Sequence, residues 1–390
     1  MTTTPALSLP AAGAPFERVD LPLRELRDDD ILIDIAYAGI CHSDIHTGRD
    51  EWFPAHYPLT PGHEIAGTIA AVGPGVTRHQ VGDRVGVGCL VDSCGECEWC
   101  KNGQEMFCTK PAVGTYNAQG YDGEWTAGGY AQQVVVSERF VLRIPDAMGL
   151  DVAAPLLCAG ITTYSPLRRW GAGPGVKVAV VGVGGLGHMA VKIAAAMGAE
   201  VTTISRSNAK AEDALALGAR AHLATSAENA LSEARGSFDL IVNTVSAELP
   251  MDSYLRLLRP NGVMANVGLP MTPYSVFPWG VIGGNKVLTG SQIGGIPETQ
   301  EMLDFCAEHG LGATIEMLDA SDPAAVNDAW DRVVAGDVRY RVVIDTSTIS
   351  AGSPVGCGRH PWGPAVNNPP IGRLLTAGWG WCGGEAPAHR

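Results

Sequence analysis

A long alternation of strands and helices occupies the second half of this chain. From Val176 onward the apolar runs VKVAVV, EVTTIS, RAHLA, FDLIVNTV, GVMANVG and KVLTGS alternate with helical segments such as LGHMAVKIAAAMGA. Parallel strands need long crossover connections, which are usually helices. The alternation therefore predicts an α/β fold with a parallel, doubly wound sheet of about six strands, assigned to residues 153–291.

The segments on either side of this region have a different pattern. Between about Ile31 and Ile144 the sequence shows short β-rich runs separated by Gly and Pro turns, which predicts a mainly β domain. After Ser291 come two helical segments and a strand, YRVVIDTS, and we expect this part to return to the first domain. The predicted domains are residues 1–152 together with 292–350, and residues 153–291. Residues 351–390 hold nine Gly, six Pro and three Trp without a period, which predicts a disordered tail.

A glycine-rich turn follows the first strand of the alternation. Gly182, Gly184 and Gly187 have the spacing GxGxxG, and a helix begins at once. Such a turn lets a pyrophosphate approach the helix N-terminus, where free N–H groups and the dipole favour an anion. We expect a dinucleotide here, contacted by the turn residues Gly182, Gly184, Gly185, Leu186 and Gly187.

The end of the next strand selects the dinucleotide. An NAD site has Asp or Glu about 20 residues beyond the glycines, whereas this chain has Ser205, Arg206 and Ser207, followed by Lys210. Two cations and two hydroxyls can bind a 2′-phosphate, so NADP(H) is preferred. A solvated polar turn is the plain alternative.

Four of the ten cysteines lie within fifteen residues, spaced C-x2-C-x2-C-x7-C: Cys94, Cys97, Cys100 and Cys108. Disulfides suit secreted proteins, and the start of this chain lacks the pattern of a secretory signal. An iron–sulfur cluster uses an earlier fourth cysteine followed by Pro. Four thiolates on a short loop instead match a closed, structural zinc site, which leaves no position for a substrate.

Further metal-ligating residues are scattered along the chain. The segments GICHSDIH, PGHEIAG and LLCAGITT supply Cys41, His42, Ser43, Asp44, His46, His63, Glu64 and Cys158. Taken singly, each of them is more often a core or surface residue. Two thiolates and one imidazole, however, form the ligand set of an open, catalytic zinc site.

Charge and hydropathy exclude several partners. A formal net charge of −14 and the absence of a Lys/Arg run make nucleic acid an unexpected partner. The longest apolar stretch, residues 176–199, is interrupted by Lys177, His188 and Lys192, so no membrane span is predicted. We expect a cytoplasmic protein.

With these motifs in place, the sequence resembles the zinc-dependent medium-chain alcohol dehydrogenases. The resemblance is closest to the branch with cinnamyl alcohol dehydrogenases and bacterial NADP-dependent alcohol dehydrogenases. It is carried by GHEIAGTIAAVG, PLLCAGITTYSPL, VGVGGLGH and GGIPETQEMLDFC, and it covers about Ala14 to Thr348. It implies a GroES-like, mainly β catalytic domain and a Rossmann domain.

The resemblance also implies roles for the scattered ligands. Cys41, His63 and Cys158 would hold a catalytic zinc, Glu64 would be an occasional fourth ligand, and Asp44 would orient His63. With the four-cysteine site this makes two zinc ions per chain. The plain alternatives are that Asp44 caps a helix starting near Ile45 and that Glu64 forms a core salt bridge.

The remaining roles follow from the same resemblance. Ser43 and His46 match a proton relay, although His46 is alternatively an ordinary surface histidine. His42 and Arg341 are expected to contact the pyrophosphate, and Thr162 is expected to pack on the nicotinamide. The predicted substrate pocket is lined by Trp52, Cys89, Val113 and Ile293.

The expected activity is reversible hydride transfer between NADP(H) and a primary alcohol or aldehyde, with zinc as Lewis acid. Two alternatives stay open: a polyol or threonine dehydrogenase of the same fold, and a zinc-stabilised dinucleotide-binding protein without catalysis. We expect a small-molecule substrate and a homodimer or homotetramer.

Overall fold

The computed structural model describes residues 2–351 of the 390-residue chain, so the predicted tail lies outside the described residues except for its first position. The strands are β1 (Thr2–Ser8), β2 (Glu17–Leu23), β3 (Asp30–Gly39), β4 (Ile65–Val72), β5 (Arg84–Val87), β6 (Leu90–Asp92), β7 (Val113–Gly114), β8 (Gln133–Ser137), β9 (Leu142–Arg143), β10 (Lys177–Val181), β11 (Glu200–Ser205), β12 (Ala221–Ala224), β13 (Phe238–Asn243), β14 (Leu258–Asn266), β15 (Val287–Gly290), β16 (Ile315–Asp319) and β17 (Arg341–Asp345). The α-helices are α1 (His42–Gly48), α2 (Glu98–Lys101), α3 (Leu150–Ala153), α4 (Ala159–Arg169), α5 (Gly187–Ala196), α6 (Ala211–Ala216), α7 (Ala230–Glu233), α8 (Met251–Leu255), α9 (Trp279–Ile282), α10 (Ile296–Glu308) and α11 (Pro323–Ala335).

The alternating region forms a parallel sheet of six strands in the order β12-β11-β10-β13-β14-β15. Four of the five residues of β10 are buried, because helices and neighbouring strands cover both faces of this central strand. The predicted α/β fold class, with its doubly wound parallel sheet, is confirmed.

A second, mainly antiparallel sheet has the strand order β16-β17-β3-β4-β5-β9, with β8 also paired to β3. Its two strands from the end of the described chain, β16 and β17, pair with each other in parallel. Strand β17 then joins β3 antiparallel, with Val343 opposite Gly39. The chain therefore leaves this sheet, builds the parallel sheet and comes back.

The pairing of β3 with β4 brings candidate metal ligands from two separate segments close together. Ala38 lies opposite Ile65, so the end of β3 and the beginning of β4 meet at the same edge of the sheet. Cys41 follows β3 after one intervening residue, and His63 and Glu64 directly precede β4. Residues that are distant in sequence thus become neighbours through the register of one strand pair.

Two described elements were not predicted from the sequence. Strands β1 and β2 form a separate two-stranded antiparallel sheet, and Ala6 of β1 makes an isolated bridge to Ala131. Strand β16 is also absent from the sequence-based assignment. Both lack the apolar runs bounded by turn residues that identified the other strands.

Candidate metal centres and cofactor cleft

The four clustered cysteines converge in a small lobe, residues 94–108, which we call the cysteine lobe. Their Sγ atoms all lie within 4.8 Å of one another, with Cys94–Cys100 at 3.9 Å and Cys97–Cys100 at 3.5 Å. A tetrahedral zinc with Zn–S bonds of about 2.3 Å separates its sulfurs by about 3.8 Å. The donor set and spacing therefore fit a four-cysteine zinc site.

Backbone donors in the lobe favour thiolates. The N–H groups of Cys100 and Thr109 lower the pKa of Cys97 to about 6. The N–H of Cys94 donates to Cys108 Sγ at 3.4 Å, but burial outweighs this bond and raises the pKa of Cys108 to about 12. Helix α2 buries no residue, so the lobe has little apolar packing of its own to hold its shape. A metal ion would supply that constraint.

A second group of metal-ligating atoms lies at the edge shared by β3 and β4. Cys41, His63, Glu64 and Cys158 are all buried, and their ligand atoms lie within 4.8 Å of one another. Cys158 arrives at the N-cap of α4, and its Sγ is 3.9 Å from Cys41 Sγ, again the separation of two zinc thiolates. Within residues 2–351 these four side chains and the cysteine lobe are the two groups that fit a metal ion.

The pKa shifts differ within this group: burial raises the pKa of Glu64 to about 8, and hydrogen bonds with Cys41 and Cys89 raise the pKa of Cys158 well above its ordinary value. Cys158 donates to Cys41, and this bond together with the nearby charge of His63 holds the pKa of Cys41 well below its ordinary value. Glu64 Oε2 is buried without a hydrogen-bond partner among the described residues. A buried carboxylate oxygen without a hydrogen-bond partner is costly unless a cation joins it, and the ligand atoms of the other three residues lie within 4.8 Å, so the residues present fit zinc.

Asp44 is fully buried and bonds to two residues of the set Cys41, His63, Glu64 and Cys158, which we call the metal group. Its Oδ1 accepts from His63 Nδ1 at 3.0 Å, which leaves His63 Nε2 free to bind a metal. Its Oδ2 accepts from the backbone N–H of Cys41 at 2.9 Å and from Tyr130 Oη at 3.3 Å. Helix α1 begins at His42 and not near Ile45, but the bond from the Cys41 N–H to Asp44 is a capping-box contact, so the alternative that Asp44 caps a helix is confirmed while the expected start of that helix is wrong.

Glu64 forms a buried ion pair with Arg341, which corresponds to the plain alternative considered for Glu64. Arg341 Nη2 donates to Glu64 Oε1, and the other carboxylate oxygen remains in the metal group. Arg341 was predicted to contact a pyrophosphate. It lies against Gly185 of the glycine turn and lines the same cleft, so it faces both places at once.

The glycine turn has the geometry that its spacing predicts. Gly182 adopts φ +88°, a left-handed conformation, and a Cβ on Gly187 would overlap the carbonyl oxygen of Gly182. Helix α5 begins at Gly187, directly after Leu186. The turn borders a cleft of about 390 Å³, which His42, Gly184, Gly185, Lys210 and Arg341 help to line.

At the end of β11 the predicted phosphate-binding residues divide into two groups. Arg206 and Ser207 are exposed, whereas Ser205 Oγ is held between Ser207 O at 2.8 Å and His222 Nε2 at 3.1 Å. Lys210 turns back toward the glycine turn and donates to Val183 O at 2.9 Å. His222 was missed from the sequence, since only the pairing of β11 with β12 brings it here.

The relay residues lie on α1, between the metal group and solvent. Ser43 Oγ is 3.7 Å from Cys41 Sγ. His46 lies one turn further, partly exposed and stacked on Trp52 with ring centroids 4.7 Å apart. Its Nδ1 pairs with Glu51, a residue that sequence reasoning missed. A carboxylate five residues after a histidine carries no recognisable signal by itself.

Two of the four predicted pocket residues share one recess. Cys89 and Ile293 line a small apolar recess, together with Leu157 and Ile161. Leu157 precedes the candidate ligand Cys158, and Thr162 lies one turn beyond it with its N–H bonded to Cys158 O. Val113 is buried in β7 and Trp52 packs on His46, so neither contributes to this recess.

Every helix within residues 2–351 is too short or too polar to span a membrane.

Comparison with known proteins gives matches over most of the chain. Residues 27–146 match the family described as alcohol dehydrogenase GroES-like domain, and residues 185–308 match the zinc-binding dehydrogenase family. The chain is 56% identical to a probable formaldehyde dehydrogenase of Bacillus subtilis (89% of this chain, 98% of the relative). It is 55% identical to an NADP-dependent alcohol dehydrogenase of Mycolicibacterium smegmatis (90% and 99%). A solved cinnamyl alcohol dehydrogenase from Sorghum bicolor superposes with a TM-score of 0.86 at 41% identity (90% and 99%).

Proposed function

Because this chain belongs to the zinc-dependent medium-chain alcohol dehydrogenase family, we propose that it interconverts a primary alcohol and an aldehyde with NADP(H) as the hydride carrier. One observation supports this most directly. Arg341 lines the cleft beside the glycine turn and pairs with Glu64 of the metal group, so a single side chain contacts both sites. Cofactor and metal would then act on the same substrate.

Cys41, His63 and Cys158 would hold the catalytic ion, with Glu64 as a further oxygen donor. Zinc bound there supplies a Lewis acid that polarises the substrate oxygen. Asp44 keeps the His63 proton on Nδ1, so that Nε2 presents its lone pair. The cysteine lobe would hold a second zinc, which is coordinatively saturated and takes no part in the reaction.

Proton movement is assigned to side chains of α1 and the following loop. Ser43 Oγ, beside Cys41, is the inner group, and the His46–Glu51 pair is the outer group that exchanges protons with water. Glu51 holds His46 Nδ1 and so fixes which nitrogen faces inward. Trp52 covers one face of the imidazole and limits its rotation.

The cofactor preference follows from the end of β11. Strand β11 ends at Ser205 and is followed by Arg206 and Ser207, without a carboxylate to repel a 2′-phosphate. Bound NADPH supplies the hydride. The glycine turn, His42 and Lys210 surround the cleft that would receive its phosphates.

The substrate is proposed to be an apolar aldehyde, aromatic or aliphatic. The recess beside Cys158 is lined mainly by aliphatic side chains, with the thiol of Cys89 as one of its few polar groups. Such a lining gains from contact with hydrocarbon and offers few partners to the hydroxyls of a polyol.

The test combines metal analysis with a substrate screen. Purified protein is expected to contain two zinc ions per chain, and Cys158→Ser to retain one and lose turnover. A panel of aromatic, aliphatic and polyhydroxy substrates with NADPH or NADH should show turnover of the apolar aldehydes with NADPH. One zinc per chain without turnover would point to a dinucleotide-binding protein instead.

A homo-oligomer is also proposed, built on the free edge of the parallel sheet. Strand β15 ends this sheet, and the segment before it exposes five large apolar side chains, each more than half accessible: Leu269, Met271, Phe277, Trp279 and Ile282. A second copy pairing edge to edge would cover them. Light scattering should give a multiple of 40.8 kDa, and Phe277→Glu with Trp279→Glu should reduce it to a monomer. A monomeric native protein would contradict this.

A cytoplasmic location is proposed from the thiols. The eight described cysteines are free, and two groups of them are arranged as thiolate ligands. Such sites are suited to a reducing compartment.

A further inference from the structure

The cysteine lobe contacts the remainder of the molecule at one segment that matters for the substrate. Glu105 Oε2 accepts the backbone N–H of Ile296 at 3.0 Å, across 191 positions of sequence. Ile296 is the first residue of the thirteen-residue helix α10. The carboxylate therefore satisfies one of the free donors at this helix end and compensates its dipole.

The backbones of the two parts lie directly against each other. A Cβ on Gly295 would overlap the carbonyl oxygen of Gly103 and would stand 2.6 Å from Glu105 Oε2. Both Gly103 and Glu105 belong to the cysteine lobe. The lobe is thus a rigid support beneath residues 293–296, provided that its own shape is held.

The opposite side of residues 293–296 faces the apolar recess. Ile293, Gly294 and Ile296 line it together with Leu157, which precedes the candidate metal ligand Cys158. A Cβ on Gly294 would stand 2.5 Å from Ile161 Cδ1, so this segment also packs closely against α4. Residues 293–296 are therefore enclosed between the cysteine lobe and helix α4, whose N-cap is Cys158.

We infer that the cysteine lobe is a positioning element for the substrate recess, and that Glu105 is the residue through which it acts. The inference rests on the proposed function, in which this recess receives the alcohol or aldehyde. Without the Glu105 carboxylate the N–H of Ile296 loses its partner, and the wall of the recess is no longer fixed. Substrates that fill the recess then lose contacts with residues 293–296, whereas the cofactor cleft is unchanged.

The experiment compares Glu105→Ala, Glu105→Gln and a control, Glu98→Ala, in zinc-loaded protein. Glu98 lies in the same lobe but is exposed. KM and kcat are measured with NADPH for straight-chain aldehydes of increasing length, and hydrogen exchange of residues 293–297 is followed by mass spectrometry without substrate. Melting temperature and zinc content are recorded for each protein.

For Glu105→Ala we expect a KM about tenfold higher for the longest aldehydes than in the unaltered protein, because a partly buried donor is left unpaired and the wall of the recess is no longer fixed. The shortest aldehyde and NADPH should change less than about twofold. Exchange of residues 293–297 should be faster. Glu105→Gln should restore most of this, since its amide oxygen can accept from Ile296, and Glu98→Ala should match the unaltered protein.

If the lobe only stabilises the fold, Glu105→Ala will lower the melting temperature, change KM by the same factor for aldehydes of every length, and leave the hydrogen exchange of residues 293–297 unchanged. That outcome overturns the inference. If Glu105→Ala does not fold, Glu105→Asp, shorter by one methylene, takes its place. If the unaltered protein reduces none of the aldehydes, the proposed function fails, and the exchange measurement alone decides whether Glu105 fixes residues 293–296.

Discussion

Replacing Asp44 by Asn tests whether a buried carboxylate sets up the metal group. Asp44 accepts three hydrogen bonds, from His63 Nδ1, the Cys41 N–H and Tyr130 Oη. An amide has a single oxygen to accept them. If that oxygen serves Cys41 and Tyr130, the NH₂ group faces His63 Nδ1 and places the imidazole proton on Nε2, the atom needed for the metal.

The expected magnitude follows from this mismatch. One hydrogen bond is lost or reversed in a fully buried site, which costs about 1–3 kcal/mol. Loss of a partner behind a metal ligand typically weakens metal affinity about 10–100-fold, or about 1.4–2.7 kcal/mol, in the same range. We therefore expect the Asp44→Asn protein to bind one zinc normally and the second about 10–100 times more weakly.

Competition with a chromophoric chelator at neutral pH, with the bound metal counted by mass spectrometry, measures both sites at once. The cysteine lobe is the internal control, and Asp34→Asn, an exposed carboxylate on β3, is the matched variant. Melting curves establish that the variant is folded. If Asp44→Asn holds both ions with unchanged affinity and turns over normally, the assigned role of Asp44 is wrong.

Three further predictions concern the cofactor, the relay and pH. Arg206→Asp places a carboxylate at the end of β11 and should raise the KM for NADPH about 10–100-fold while leaving that for NADH unchanged, as steady-state kinetics will show; equal effects on both would refute it. Glu51→Ala removes the partner of His46 Nδ1 and should lower kcat about tenfold with no effect on the KM for NADPH, and an unchanged kcat would exclude Glu51 from the relay. Burial, with Lys192 adding to it, lowers the pKa of His188 to about 3, so the folded chain keeps this imidazole neutral while the unfolded chain protonates it below about pH 6.5. Stability is therefore lost as pH falls below 6.5, by about 2 kcal/mol at pH 5. Between pH 7 and 5 the melting temperature of His188→Gln should fall about 2–3 °C less than that of the unaltered protein.

Features with a local signal were predictable from the sequence. In the region of the parallel sheet, strands and helices alternate regularly along the sequence, and the GxGxxG turn lies between a strand and a helix. Fold class and cofactor type could therefore be predicted directly. The four lobe cysteines have a spacing specific to metal sites. In contrast, Cys41, His63 and Cys158 were grouped only through resemblance to a family, because 117 positions separate the two thiols.

Contacts that depend on long-range register were not predictable. Arg341 and Glu64 are 277 positions apart in the sequence. They meet because β3 lies between β17, which begins with Arg341, and β4, which follows Glu64. The bond from Ile296 to Glu105 likewise depends on how α10 meets the cysteine lobe. No property of a glutamate in isolation distinguishes one that supports a helix from one that is solvated.

The position of β17 in its sheet also determines the order in which the molecule can be completed during synthesis. Residues 177–290 contain every strand of the parallel sheet, so the pairing of its strands can be completed once that stretch has left the ribosome. The mixed sheet, begun much earlier, still lacks two strands until residue 345 has emerged. The part translated first is thus finished last, the reverse of the usual N-terminal-first sequence of domain folding. Until then the edge of β3 that awaits β17 stays open to pairing with other nascent chains.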